Sequence, residues 1–169
     1  MKSALCGVLV AASLFACQEK EEIKSDYTGN QVVYVLLQAS DYNVQGDVTF
    51  RERIDGTAEI DVTLSGTEGA IEHPVHLHLG DITTPSADVA ALLTPVEGST
   101  GKSETNLKRL ADETPITYKE LIALNACIKV HLSATGESRD IVLAGGNIGA
   151  AFTTDVSTGR AAIAVCKSN

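Results

Sequence analysis

The chain carries four histidines, His73, His76, His78 and His131. Three of them fall in one stretch, His73-Pro74-Val75-His76-Leu77-His78-Leu79-Gly80-Asp81. In an extended strand, residues i and i+2 share a face. If Val75, Leu77 and Leu79 face a core, His76 and His78 project together from the opposite side, with Cα atoms about 7 Å apart. The segment Cys127-Ile128-Lys129-Val130-His131-Leu132 reads the same way, with Ile128, Val130 and Leu132 inward and His131 outward. Three imidazoles on one outer face suit copper, zinc, iron or nickel. The periodicity is equally compatible with three solvated histidines, because it does not place the two strands side by side. His73 has the other parity and precedes Pro74, so it is left out of the group. Asp81 is read first as a turn residue after Gly80 and second as an acceptor that could orient an imidazole.

Positioning these side chains requires a chain built mostly of strands. Val33, Val35 and Leu37 share a face of a first strand, Val48 and Phe50 of a second, and Ile60, Val62 and Leu64 of a third. Asp55-Gly56 between the second and third is a hairpin signal. A turn at 65–69 leads to a fourth strand over 71–79. Residues 83–112 hold Pro85, Pro95, Gly98 and Gly101 around one apolar patch at 89–93, and read as a long excursion with at most one strand. Thr117-Tyr118-Lys119-Glu120 has the form of a capping box before an apolar run and predicts one short helix. Further strands are expected near 127–132, 141–144, 148–152 and 160–166. This pattern of short strands and glycine-rich turns predicts an all-β, antiparallel sandwich.

A length of 169 residues suits one domain. The net charge of −9 argues against a nucleic-acid partner, which demands a basic face. Residues 1–16 read as a signal peptide, with Lys2 ahead of an apolar run. Leu14-Phe15-Ala16-Cys17 resembles the lipobox of bacterial lipoproteins, in which the cysteine is lipidated and becomes the new N-terminus. That resemblance implies a membrane partner through a lipid on Cys17 and a location at the bacterial outer membrane or cell surface. Residues 17–30 then form the acylated cysteine and a polar tether, and 31–169 the folded domain. The acidic Gln18-Glu19-Lys20-Glu21-Glu22 is similar to the run behind the lipidated cysteine in surface-exported lipoproteins. In an oxidising compartment the remaining pair, Cys127 and Cys166, reads as a disulfide, the alternative being two buried thiols.

His76-Leu77-His78-Leu79-Gly80, with Ile128-Lys129-Val130-His131 and Gly136-Glu137-Ser138-Arg139 downstream, resembles the CHRD domain over residues 31–152. That domain in turn looks like copper/zinc superoxide dismutase, to which Gly146-Asn147-Ile148-Gly149 adds a further match. The resemblance implies a Greek-key sandwich or flattened barrel in which His76, His78 and His131 are copper ligands. The departures are specific. No histidine stands between His78 and His131, so the bridging ligand and the zinc set of the dismutase are missing. Arg139 is a candidate for the arginine beside the copper, at a different spacing from Gly146. The expectation is therefore a domain that binds copper or zinc, rather than a dismutase, with no catalytic residue assigned. The alternative is a non-catalytic module that presents residues 83–112 to a protein or glycan partner. Gly98-Ser99-Thr100-Gly101-Lys102-Ser103 fails as a phosphate loop because Val96 stands where the first glycine is required.

Overall fold

A computed structural model describes residues 25–84 and 87–157. Eight strands run in the order β1 (Tyr27–Gln38), β2 (Gln45–Arg53), β3 (Ala58–Ser65), β4 (Glu72–Leu79), β5 (Val89–Glu97), β6 (Lys102–Leu107), β7 (Asn125–His131) and β8 (Val142–Ile148). They close into a barrel in the order β1-β2-β3-β6-β5-β4-β7-β8, with every neighbouring pair antiparallel. The connections β3 to β4 and β6 to β7 each pass over intervening strands, which is Greek-key topology. The all-β expectation holds, and the sheet closes rather than splitting in two.

The alternation read from sequence fills the barrel except in β1, where Tyr34 and Leu36 are buried and the Val33-Val35-Leu37 face is turned outward, with Leu37 59% exposed. Leu36, Val48, Phe50, Ile60, Val62, Val75, Leu77, Ile128, Val130 and Ile148 point inward and are essentially inaccessible. The β2–β3 hairpin turns at Asp55-Gly56 as expected, with Gly56 at φ +82°. The capping box also forms. Thr117 accepts from the Glu120 amide, Glu120 answers the Thr117 amide, and the short helix α1 (Tyr118–Leu121) buries Tyr118 and Leu121.

Three expectations are corrected. Residues 83–112 are no long excursion, because they supply β5 and β6 to the barrel wall. β5 hid because its pairing with β4 shifts register twice, which breaks the period of two, and because it contains Pro95. β6 hid because only Leu107 of its six residues is buried. Residues 148–152 are no strand either. β8 ends at Ile148 and the chain turns into the helix α2 (Gly149–Ser157). Gly149 makes that turn at φ +55°, where a Cβ would lie 2.2 Å from the Leu124 carbonyl oxygen. α2 then sets Phe152 edge-on to Tyr34, ring centroids 5.1 Å apart. Finally, Leu79 does not face the core and is 42% exposed.

β1 starts four residues inside the segment read as tether. Tyr27 donates to Glu59, while Thr28 and Asn30 donate to the Glu52 carboxylate at 2.8 and 2.6 Å. The signal segment, Cys17, the expected strand at 160–166 and Cys166 lie outside the described residues.

Candidate metal centre

β4 and β7 are neighbours, paired Val75 to Val130, His76 to Lys129 and His78 to Cys127. This register brings His131, at the end of β7, onto the outer face that carries His76 and His78. The ring centroids are 5.7 Å apart for His76–His78, 4.7 Å for His76–His131 and 6.2 Å for His78–His131. One donor nitrogen from each lies within 4.8 Å of the others, so the three form a group that can hold a metal ion.

Two of the rings are locked from behind. His78 Nδ1 lies 2.8 Å from the Ala87 carbonyl and His131 Nδ1 lies 3.0 Å from the Arg139 carbonyl. A carbonyl only accepts, so each Nδ1 carries the proton and each Nε2 presents a lone pair. Both Nε2 atoms are buried and have no hydrogen-bond partner among the described residues. An unmet buried polar atom costs on the order of 1–3 kcal/mol. A metal ion satisfies both lone pairs at once, and the carbonyl behind each ring is the support that metal-binding histidines ordinarily have.

The electrostatics favour the same species. Burial, with the neighbouring His131 and His78 rings, pulls the His76 pKa down to about 4. Burial also lowers His78, with Lys129 adding to it and the Ala87 bond opposing it. His131 is lowered chiefly by burial, against the bond to Arg139. All three rings are therefore neutral at pH 7, the form that binds metal.

The remaining sequence candidates fall elsewhere. His73 is on the core side of β4, 5% exposed, with Nδ1 3.2 Å from the Leu132 carbonyl. Asp81 opens the turn after Gly80, its carbonyl accepting from the Thr84 amide at 2.8 Å. Its Oδ1 accepts from the Thr83 amide at 2.8 Å and its Oδ2 from Asn147 Nδ2 at 2.7 Å, so it fastens the loop after β4 to β8. The guanidinium of Arg139 points to Asp140, Nε to Oδ1 3.1 Å, so the residue serves the site through its backbone carbonyl. Gly146 lies where a Cβ would come within 2.2 Å of the Val35 carbonyl, and it lets β8 pack against β1. Cys127 is a buried free thiol among the described residues, its pKa raised to about 11 by burial. No disulfide is found there. The two carbonyl supports were not foreseen. Ala87 and Arg139 act through backbone oxygens, which carry no residue-type signature.

A second group of ligand-type side chains, Glu59, Asp61 and Glu104, lies on the wall formed by β3 and β6. Arg51 reaches Glu59 at 2.8 Å and Asp61 at 2.6 Å, Arg53 reaches Glu59 at 2.9 Å, and Tyr27 donates to Glu59 as well.

Fold and site together define an eight-stranded antiparallel barrel with a three-histidine group on its outer wall. Neither protein-family models nor curated proteins give a match to this chain.

Proposed function

We propose that this chain is a lipid-anchored, extracytoplasmic, CHRD-like metal-binding barrel in which His76, His78 and His131 hold copper or zinc. The observation that carries the reading is the pair of buried, unmet Nε2 lone pairs on His78 and His131, each on a ring fixed through Nδ1. Three neutral imidazoles and no carboxylate match copper and zinc, and are a poor set for calcium or magnesium. Copper would supply one-electron chemistry there, and zinc a Lewis acid. The Greek-key barrel is the fold that the CHRD resemblance implies. The chain's fourth histidine, His73, is bonded to a backbone carbonyl on the core side, which leaves no histidine for a bridged second ion. The reading is therefore of binding rather than of dismutation. The anchor rests on Leu14-Phe15-Ala16-Cys17.

Titration of the purified protein with Cu²⁺, Cu⁺ and Zn²⁺ tests the metal. The expected result is one ion per chain for copper or zinc, with affinity lost in both His76→Ala and His131→Ala. Absence of uptake, or uptake untouched by both substitutions, overturns it. Metabolic labelling with a radioactive fatty acid tests the anchor, and the expected label is lost in Cys17→Ser. An unlabelled wild-type protein overturns that part alone.

The alternative reading placed a partner-binding surface on residues 83–112. That segment builds two barrel strands, and Ala111 also donates to the Ala90 carbonyl at 2.7 Å, so it forms wall rather than a free loop.

A further inference from the structure

The outer face that carries the histidine trio also carries a lysine. Lys129 is the Cα partner of His76 across the β4–β7 pairing, and it precedes His131 by two residues on β7. Parity sets it on the same face, about 7 Å along the strand from His131. It is half-buried and forms no ion pair among the described residues. Beyond burial, its positive charge helps to lower the pKa of His78 and of His131.

No carboxylate offsets that charge at the trio. The row is flanked by Leu92 of β5, the partner of His76, and by Gly145 of β8, the partner of Lys129. The carboxylate that bears on the trio is Asp140, and it is itself paired with the Arg139 guanidinium. An ion seated on the three neutral imidazoles therefore receives no negative charge from a ligand and stands beside one ammonium group.

Repulsion from a fixed cation grows with the charge of the ion, so it penalises Cu²⁺ and Zn²⁺ twice as much as Cu⁺. Coordination number acts in the same direction. Zinc in proteins takes four ligands and Cu²⁺ a tetragonal set, whereas the histidine group offers three donors. Cu⁺, with its filled d shell, is satisfied by three. On the reading that His76, His78 and His131 form a metal site, we infer that the site selects Cu⁺ over Cu²⁺ and Zn²⁺, and that Lys129 is the residue that sets this selectivity. Lys129 is no ligand; it acts through its charge.

The test is a set of competition titrations of the purified protein against chromophoric chelators, with Cu⁺ under anaerobic reducing conditions and with Cu²⁺ and Zn²⁺ in air. The wild-type protein is expected to bind Cu⁺ more tightly than either divalent ion, so that the bound copper has a reduction potential above that of the aqueous Cu²⁺/Cu⁺ couple. Lys129→Gln is expected to cut the ratio of Cu⁺ to Cu²⁺ affinity about tenfold, which is a fall of about 59 mV in that potential. Zn²⁺ should gain on Cu⁺ by a similar factor. Lys129→Arg keeps the charge and should keep the ratio. Lys102→Gln, on a strand separated from β4 by β5, should not alter it. Tighter binding of Cu²⁺ than of Cu⁺ by the wild type, an unmoved ratio in Lys129→Gln, or an equal change for all three ions overturns the inference and leaves the metal site standing. Failure of every ion to bind overturns the metal site itself and the inference with it.

Discussion

Two trios of ligand-type side chains stand on the outer wall of the barrel, and they differ in what already answers them. Glu59, Asp61 and Glu104 approach one another as closely as the histidines do. Yet Glu59 accepts from Arg51, Arg53 and Tyr27, and Asp61 is paired with Arg51. Two of the three carboxylates are thus answered inside the protein, and the third, Glu104, is exposed. The histidine trio has the reverse arrangement. Protein groups fill the rear nitrogens of His78 and His131, and the forward nitrogens meet nothing among the described residues. Proximity of donors therefore does not distinguish a metal site from a structural network. The unmet lone pair does.

Several measurements sharpen this contrast. The largest effect is expected on metal affinity. His78→Ala or His131→Ala should cost at least about 100-fold in copper or zinc affinity, since each removes a ligand whose mere supports are worth about 10–100-fold. Glu104→Gln, in the acidic trio, should leave the same titration unchanged. A loss in Glu104→Gln would show that the acidic group is the true site.

Stability should respond in the opposite sense. Glu59→Ala deprives two arginines of their common partner, and a loss of about 2–3 kcal/mol in denaturant unfolding is expected, below the figure for a fully buried pair because both arginines are partly solvated. His78→Ala in the metal-free protein should cost less than Glu59→Ala, because it also removes an unmet polar atom. Equal losses would erase the distinction between the trios.

Acid supplies a third test. The histidine pKa values are depressed in the folded state, His76 to about 4, so the unfolded chain binds protons first. Stability of the metal-free protein should be full above about pH 6.5, the ordinary histidine value. It should fall as pH drops from there toward about 4. Thermal melts across that window check it, and His76→Gln should flatten the profile. Among residues that touch the histidine site, the smallest effect belongs to Arg139→Ala. Only its carbonyl touches His131, so metal affinity should stay within about twofold. A larger loss would give the guanidinium a role at the metal.

Much of this was legible in the residues. Period-two alternation located β1 to β4 and β7, although in β1 the core takes Tyr34 and Leu36 rather than the Val33-Val35-Leu37 face; Asp55-Gly56 located the hairpin, and Thr117 with Glu120 located α1. The same alternation put His76, His78 and His131 outside the core. The adjacency of β4 and β7 was not legible, because long-range pairing leaves no local pattern. β5 and β6 were hidden by a shifted register, a proline and polar composition, all of which weaken the periodic signal. At residues 148–152, Ile148, Ala151 and Phe152 follow a helical spacing that so short a stretch does not separate from a strand. His73 shows the limit of parity. It shares the inward face with Val75 and Leu77 and is buried, yet it caps the ladder by bonding a carbonyl.

The early start of β1 fixes a height. Under the anchored reading the chain joins the bilayer at Cys17 and enters the barrel at Tyr27, ten residues later. Covalent geometry lets that span reach at most about 36 Å. The clamp of Tyr27 on Glu59, with the Arg51 and Arg53 guanidinium groups over the ring, keeps the leash from lengthening by peeling β1 away. A barrel held on so short a leash samples only a thin layer above the membrane. On that reading, any metal ion it captures is presented close to the membrane surface rather than to the surrounding medium.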